Sequence, residues 1–260
     1  MTAFDITICQ LPDDPDAFEV AWSALIARLE RRPADLLVLN EVPFDAWFGA
    51  TPTFDERTWS SAIARHRDRL RKLDHLPVAV LGTAPYEYRG KRYNRAFLRQ
   101  AGEQQIGWWR RKTWLPDEDP VFEASWYSAA HDPPDLRTVA DCQLSVLTCT
   151  ELWAMDWVKQ IGMMGAHVIA SPRATGLGST ENWLAAGRVA AITSGCYSVS
   201  SNRCGNGFGG TGWVFAPDGE CLATTTDDQP SVTVQVDLRR AEQAKLTYPR
   251  YALWTRRWLS

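Results

Sequence analysis

Hydrophobic and polar positions follow two different periods along this chain, and the two periods alternate from the first residues onward. Residues 4–11 (FDITICQL) alternate as a half-buried strand does, and residues 16–32 carry apolar side chains at helical spacing with acidic residues in the first turn. The unbroken apolar run over 35–42 (DLLVLNEV) is typical of a strand that is covered on both faces. Further strands are predicted at 77–88, 144–151, 166–174, 196–204 and 231–238, and further helices at 55–73, 152–165, 180–194 and 238–246.

Two predicted hairpins interrupt this alternation. Residues 91–111 are expected to turn at QAGEQ (100–104), and residues 210–225 are expected to turn at PDG. The segment 130–137 (AHDPPDLR) is predicted to be an external loop. Strands that alternate with helices indicate an α/β fold, and the hairpins indicate mixed rather than parallel sheets. The pattern therefore predicts a single mixed α/β domain over residues 1–260.

Composition and charge narrow the class of protein. Hydrophobic residues make up 45% and charged residues 23% of the chain, which is typical of a globular protein. The net charge of −3 gives no reason to expect a nucleic-acid partner, and no apolar run reaches the ~20 residues that span a bilayer. The N-terminal segment lacks the features of a secretory signal, and the six cysteines are scattered without a C-x-x-C. A cytoplasmic location is expected, with reduced thiols and without a membrane partner.

Several familiar kinds of site are absent or weakly supported. The run GNGFGG (205–210) fits a dinucleotide fingerprint, but a strand and a turn follow it instead of a helix. No G-x-S-x-G elbow is present, and the four histidines lack metal-ligand spacing, so neither a metal nor a cofactor is expected. A dyad of Cys149 with His131 or His167 stays open from the sequence. Such a dyad leaves the acidic and basic residues described next without a role.

Four residues stand where catalytic chemistry needs them. Glu41 ends the apolar run of a predicted strand, and Cys149 lies where another strand gives way to a helix. A thiol at such a junction is close to a helix N-terminus, which favours the thiolate. Lys112 opens the segment KTWLPDEDPVFE, and Glu123 closes it eleven positions later.

Glutamate, lysine and cysteine in this order resemble the catalytic set of the nitrilase superfamily of carbon–nitrogen hydrolases. The segment KTWLPDEDPVFE is similar to that family's block of lysine, Leu/Ile-Pro and Phe-x-Glu. GMMGAHVIASPRATG, WLAAGRVAAITSGCYSVSSNRCG and GGTGWVFAPDGE resemble later blocks of the family, so the resemblance runs from residue 4 to about 250. It implies a four-layer α-β-β-α sandwich with mixed β-sheets, and a homodimer or a higher homo-oligomer.

The resemblance also implies a mechanism. Glu41 is expected to be the general base, Cys149 the nucleophile, and Lys112 the stabiliser of the oxyanion together with a backbone N–H near residue 150. Glu123 is expected to hold Lys112 and to orient the amine or the water. An intact set of this kind argues against a binding protein that has kept the fold without the activity.

The substrate is less constrained than the mechanism. Hydrolysis of a small amide is favoured, while nitrile or N-carbamoyl hydrolysis, or acyl transfer to an amine, stays open. Glu151, two residues after the cysteine, resembles the nitrile-hydrolysing relatives. Arg173 is expected either to bind a substrate carboxylate or to form a structural salt bridge. The other residues predicted to contact the substrate are Thr150, Trp153 and Trp114.

Overall fold

A computed structural model of the chain describes residues 3–73, 75–103 and 105–254. The strands are β1 Ala3–Pro12, β2 Leu36–Val38, β3 Ala79–Tyr88, β4 Lys91–Arg99, β5 Trp108–Arg111, β6 Asp117–Glu118, β7 Val121–Phe122, β8 Arg137–Val139, β9 Cys142–Val146, β10 Val168–Pro172, β11 Tyr197–Gly205, β12 Phe208–Gly209, β13 Trp213–Phe215, β14 Cys221–Thr224 and β15 Ser231–Asp237. The α-helices are α1 Pro15–Arg31, α2 Glu56–Arg71, α3 Glu123–Trp126, α4 Met155–Met163, α5 Thr180–Ser194, α6 Leu238–Ala244 and α7 Arg250–Trp254.

Thirteen of these strands form one curled, mixed sheet whose main order is β5-β4-β3-β2-β1-β11-β10-β9-β8. The sheet divides where β1 meets β11, because these two strands pair in parallel over Gln10–Pro12 and Asn202–Cys204, at their carboxyl ends. The earlier part of β1 pairs instead with β15, and the earlier part of β11 pairs with β13. The two halves therefore separate from this junction and face each other.

Alternation along the strands builds four layers. Leu36 and Val38 of β2 point into a core shared with the second half of the sheet, where Leu144 and Val199 belong to the same cluster. The alternate residues of these strands point outward and pack against the helices. Leu37 packs in the cluster that contains the apolar face of α1. On the second half, an outward cluster joins β10 and β13 to α4 and α5.

The predicted α-β-β-α sandwich with mixed sheets is therefore confirmed, and so are the antiparallel hairpins at 91–111 and 210–225. The predicted helix at 152–165 is wrong at its start, because Cys149–Trp153 forms a 3₁₀ helix and the α-helix begins at Met155. The predictions for 35–42 and 144–151 are too long, since β2 ends at Val38 and β9 at Val146. Residues 1–2, 74, 104 and 255–260 lie outside the described part of the single-domain prediction. In the described part, no helix combines the length and the hydropathy of a membrane span.

Candidate active site

A buried ion cluster lies where the two halves of the sheet meet. The Lys112 Nζ lies 2.9 Å from Oε1 of Glu41, and it lies 2.8 and 2.7 Å from the two carboxylate oxygens of Glu123. All three side chains are at most 1% exposed. The structure thus brings together three residues that are 71 and 11 positions apart in the sequence, as predicted.

Glu41 is held at the end of β2 by its backbone and by one neighbouring side chain. Its N–H donates to the carbonyl of Arg173 at 3.1 Å, and Asn94 Nδ2 donates to Glu41 Oε1 at 2.7 Å. The other oxygen, Oε2, is buried and has no hydrogen-bond partner among the residues that the structure describes. One carboxylate oxygen is therefore anchored by two donors, while the second is available to accept a proton. The sequence did not single out Asn94, whose only signal is a polar side chain on the inward face of β4.

Cys149 occupies a sharp turn after β9. Its φ of +48° lies in the left-handed region that non-glycine residues rarely adopt, so this backbone position is strained. The turn brings the Cys149 Sγ, a Glu41 carboxylate oxygen and a Glu123 carboxylate oxygen within 4.8 Å of one another. The cysteine is 4% exposed, so it is almost fully buried.

The electrostatics of the cluster keep the ammonium charged. Burial opposes the charge on Lys112, but the carboxylates of Glu123 and Glu41 outweigh it and raise the Lys112 pKa above its usual value. Burial also raises the pKa of Glu123 to about 8, against the lowering effect of Lys112 and with a further increase from Glu41. The cluster therefore places a permanent positive charge beside two acids, one of which readily holds a proton.

The resting thiol is neutral. Burial and the nearby Glu41 raise the pKa of Cys149 above the usual range of a thiol, although Lys112 opposes them. A buried neutral thiol needs a base beside it before it becomes a nucleophile. A carboxylate oxygen of Glu41 lies within 4.8 Å of the Cys149 Sγ and can serve as that base.

The same geometry bears on metal binding. Glu41, Glu123 and Cys149 lie close enough to form a three-ligand set. Lys112, however, contacts both carboxylates, and its ammonium takes the place of a cation between them. These residues are suited to a fixed ammonium and do not fit a resident metal ion.

A second buried ion pair braces the turn that carries Cys149. Glu151 accepts from Arg110 Nη1 and Nη2 at 2.7 and 2.9 Å, from the Thr113 N–H at 2.8 Å and from the Thr148 N–H at 2.8 Å. One carboxylate thereby ties the backbone beside Lys112 to the backbone beside Cys149. Glu151, which in the sequence resembles the nitrile-hydrolysing relatives, has both carboxylate oxygens engaged in these four hydrogen bonds.

Arg173 lies at the end of β10 and is 1% exposed. Its guanidinium donates to Ser200 Oγ at 2.7 Å, to Thr175 Oγ1 at 2.7 Å and to the carbonyl of Thr211 at 2.9 Å. It also lies 3.9 Å from the centroid of the Trp213 ring. Within residues 3–73, 75–103 and 105–254 it makes no salt bridge, so the structural ion pair that the sequence allowed is not formed. Burial lowers the Arg173 pKa to about 9, while Cys149 and Glu41 oppose this shift. The charge of Arg173 therefore interacts electrostatically with the ion cluster.

The three other predicted substrate contacts lie around one hollow. Trp114, Thr150 and Trp153 line a depression of about 590 Å³ together with Trp157 and Asp156. Trp114 and Trp153 are 41% and 47% exposed, unusually open for tryptophan. Thr150 adjoins Cys149 and Trp114 is two residues beyond Lys112, so two residues of the hollow are close along the chain to the ion cluster, although Glu41, Lys112, Glu123 and Cys149 do not themselves line it.

The histidines take no part in the cluster. His167 accepts from the Gln143 N–H at 3.0 Å, and its other ring nitrogen lies 3.5 Å from Glu242. His131 is exposed in the loop before β8. Because acids and a lysine surround Cys149, the geometry favours a glutamate base over a cysteine–histidine dyad.

Comparisons with known proteins agree with this site. The profile of the carbon-nitrogen hydrolase family matches residues 5–246. A search of curated protein sequences finds no match.

Solved structures are similar to the chain over nearly its whole length. A carbon-nitrogen hydrolase from Helicobacter pylori G27 has a TM-score of 0.81 at 18% identity, covering 98% of this chain and 96% of that chain. A CN-hydrolase superfamily protein from Xanthomonas campestris, with an arsenic adduct in its active site, has a TM-score of 0.77 at 16% identity and 96% coverage of each chain. A glutamate-to-glutamine mutant of the amidase from Nesterenkonia sp. AN1, which carries the acetamide moiety of fluoroacetamide on its active-site cysteine, has a TM-score of 0.74 at 21% identity, covering 98% of this chain and 96% of that chain. At these identities the likeness shows the fold, and the family profile shows the family. The chain therefore belongs to the carbon-nitrogen hydrolases of the nitrilase superfamily.

Proposed function

We propose that the protein is a thiol amidase that hydrolyses a small, non-peptide amide through a thioester on Cys149. The observation that carries this proposal is the buried set of Glu41, Lys112 and Glu123 around a neutral thiol, with one oxygen of Glu41 left unpartnered. An acid, an ammonium and a sulfur at these distances match the needs of acyl transfer.

The first half of the reaction forms the thioester. Glu41 Oε2 takes the proton of Cys149, and the sulfur attacks the carbonyl carbon of the amide. The electron pair of the carbonyl moves to oxygen, where the Lys112 ammonium and a backbone N–H near residue 150 stabilise it. Donors of this kind typically contribute about 3–4 kcal/mol each. The carbon–nitrogen bond then breaks, and Glu41 returns its proton to the departing ammonia or amine.

The second half releases the acid. Water loses a proton to Glu41 and attacks the thioester carbon, the carbon–sulfur bond breaks, and the Cys149 sulfur recovers a proton. Glu123 holds Lys112 through both half-reactions and orients the leaving amine and the incoming water. Because Glu123 and Glu41 both raise the pKa of Lys112, the ammonium that stabilises the oxyanion stays charged through both half-reactions.

The hollow next to the cluster is proposed to bind the rest of the substrate. Trp114 and Trp153 offer exposed aromatic surface, and Thr150 offers a hydroxyl beside the nucleophile. Arg173 is proposed to add positive potential at the thiolate. Its guanidinium has five N–H donors, and Ser200, Thr175 and Thr211 accept from three of its nitrogens. A substrate carboxylate would bind to the N–H groups that remain.

The test is release of ammonia or amine from matched panels of small amides, nitriles and N-carbamoyl compounds. We expect turnover of amides, reduced about 10³-fold or more in Cys149→Ser and about 10²–10⁴-fold in Glu41→Gln. Cys142→Ser is the matched control, because Cys142 is equally buried but lies in the core between the two halves of the sheet. Amide turnover that survives in Cys149→Ser would refute the proposal. Turnover confined to nitriles or N-carbamoyl compounds would show that the substrate is not an amide. If an added amine accepts the acyl group in preference to water, the reaction is acyl transfer and not hydrolysis.

A further inference from the structure

A second hollow lies on the outer face of the sheet, between α2 and the strands β3 to β5. Its volume is about 320 Å³, within the range of small-molecule sites, and Leu70, Ile106 and Trp109 form much of its apolar wall. Arg67, Arg71, Arg95 and Arg99 also line it. Of the described residues that line this arginine hollow, none is an aspartate or a glutamate. Positive charge is thus concentrated here in a chain whose net charge is −3.

Arg95 is the central cation of the arginine hollow. Its guanidinium carbon lies 3.4 Å from the centroid of the Tyr86 ring and 3.3 Å from that of Trp109. Its Nε is buried without a hydrogen-bond partner in the part of the chain that the structure describes. Burial lowers the Arg95 pKa to about 10, while Tyr86 opposes the shift. Stacking between two rings and a side-chain hydrogen bond with Tyr86 fix the guanidinium in place, and its remaining N–H groups can meet an anion.

Two further arginines stand one turn apart on α2, at the rim. Arg67 and Arg71 are exposed and form no ion pair with any described residue. Their neighbours on the same helix are paired: Arg65 contacts Asp45, and Arg69 contacts Glu19. Like charges four residues apart destabilise a helix slightly, and for Arg67 and Arg71 no ion pair with a described residue offsets this repulsion, as the pairs of Arg65 and Arg69 do.

Arg99 has a different task. Its guanidinium donates to the carbonyls of Leu76, Val78 and Glu103, so it fastens the chain beneath the hollow. The cations that face a ligand are therefore Arg67, Arg71 and Arg95.

We propose that the arginine hollow binds a small organic phosphate with a compact aromatic or apolar body. Three guanidinium groups suit a dianion with several acceptor oxygens better than a single carboxylate, and arginine is the residue best matched to phosphate. The apolar wall accommodates the organic part, because Ile63 and Leu70 of α2 line the cavity together with Ile106.

This site is separate from the proposed amidase centre. Asn94 and Arg95 are adjacent on β4, and successive side chains of a strand point to opposite faces. Asn94 donates to Glu41 in the ion cluster, whereas Arg95 lines the arginine hollow on the other side of the sheet. Binding in the arginine hollow can therefore be tested independently of amide hydrolysis.

The experiment is titration calorimetry of the whole protein with phenyl phosphate, and with inorganic phosphate, benzoate and phenol as comparison ligands. We expect saturable binding of phenyl phosphate that weakens as ionic strength rises. Binding should weaken about tenfold or more in Arg71→Glu and in Arg95→Gln, because each removes a charge-assisted contact. Benzoate and inorganic phosphate should bind more weakly, and phenol should not bind.

Arg57→Glu is the matched control for charge, because Arg57 is an exposed arginine of α2 that does not line the hollow. It should bind phenyl phosphate as the unaltered protein does. Equal weakening in Arg57→Glu and Arg71→Glu would reveal general attraction to a basic helix and overturn the proposal. So would the absence of saturable binding, or unchanged binding in Arg95→Gln, provided that the melting temperatures show each variant to be folded.

Discussion

The buried pair of Arg110 and Glu151 leads to the most quantitative prediction, the effect of Glu151→Gln. The two side chains are 3% and 0% exposed, and Glu151 accepts four hydrogen bonds. The amide of glutamine carries no charge and has only one oxygen to accept with. The substitution therefore leaves the Arg110 guanidinium buried beside a neutral group. Breaking a buried pair in this way typically costs about 3–5 kcal/mol.

A neighbouring pair on the same strand provides the control. Arg111 donates to Asp132 at 2.9 and 2.7 Å, with the same bidentate chemistry, but its side chains are 39% and 26% exposed. An exposed pair contributes less than about 1 kcal/mol, because water screens the charges and solvates either partner when it is left alone. Asp132→Asn should therefore cost much less than Glu151→Gln.

The assay is urea unfolding of the three proteins, with the free energy of unfolding taken from linear extrapolation. Glu151→Gln should lose about 3–5 kcal/mol, a large share of the roughly 5–15 kcal/mol that holds a domain together, and Asp132→Asn should lose less than about 1 kcal/mol. Turnover should also fall in Glu151→Gln under conditions where it is folded, since the turns that hold Lys112 and Cys149 share this carboxylate. Equal losses of stability in the two variants would refute the argument from burial.

Two further predictions concern stability away from the ion cluster. Burial lowers the pKa of His66 to about 3 from 6.5, so the unfolded chain binds a proton that the folded protein excludes as the pH falls below 6.5. Because of this residue, the free energy of unfolding should drop by about 2.5 kcal/mol between pH 7 and pH 4.5. Urea unfolding measured at each pH should show a weaker pH dependence in His66→Gln. An unchanged pH dependence in that variant would contradict the role of His66. A Cβ at Gly162 on α4 would lie 2.3 Å from the Ser194 carbonyl oxygen on α5, so Gly162→Ala should cost about 1–3 kcal/mol. Gly178→Ala, where a Cβ meets nothing within 4 Å, should stay within about 0.5 kcal/mol, and similar melting temperatures for the two variants would refute the close contact.

The layers of the fold were predictable because period and burial are local properties of the sequence. The run at 35–42 is apolar on both faces because Leu36 and Val38 meet the other half of the sheet while Leu37 meets the helices. The positions of Glu41, Lys112, Glu123 and Cys149 were predictable from the motifs that surround them. Their meeting is long-range, but Glu41, Lys112 and Cys149 each come shortly after a strand that the sequence predicts, and Glu123 lies in the same motif as Lys112.

The supporting contacts were not predictable, because a single sequence does not state which distant residues pair. Nothing near Arg110 indicates that its partner lies 41 positions away, and Asn94 reaches Glu41 across 53 positions. The helix predicted from residue 152 shows the same limit. Glu151 is held by Arg110 and two backbone N–H groups, and Ala154, with φ −77° and ψ 79°, separates the 3₁₀ helix from the α-helix that follows.

The most direct test of the account is the mass of the protein during its first turnover. Protein mixed with a small amide is quenched in acid within one turnover, and the intact chain and its peptides are weighed. We expect the mass of the acyl group, less one hydrogen, on the peptide that contains Cys149, and no added mass in Cys149→Ser or in Glu41→Gln. An adduct on another residue, or hydrolysis that continues unchanged in Cys149→Ser, would contradict a thioester mechanism at this site.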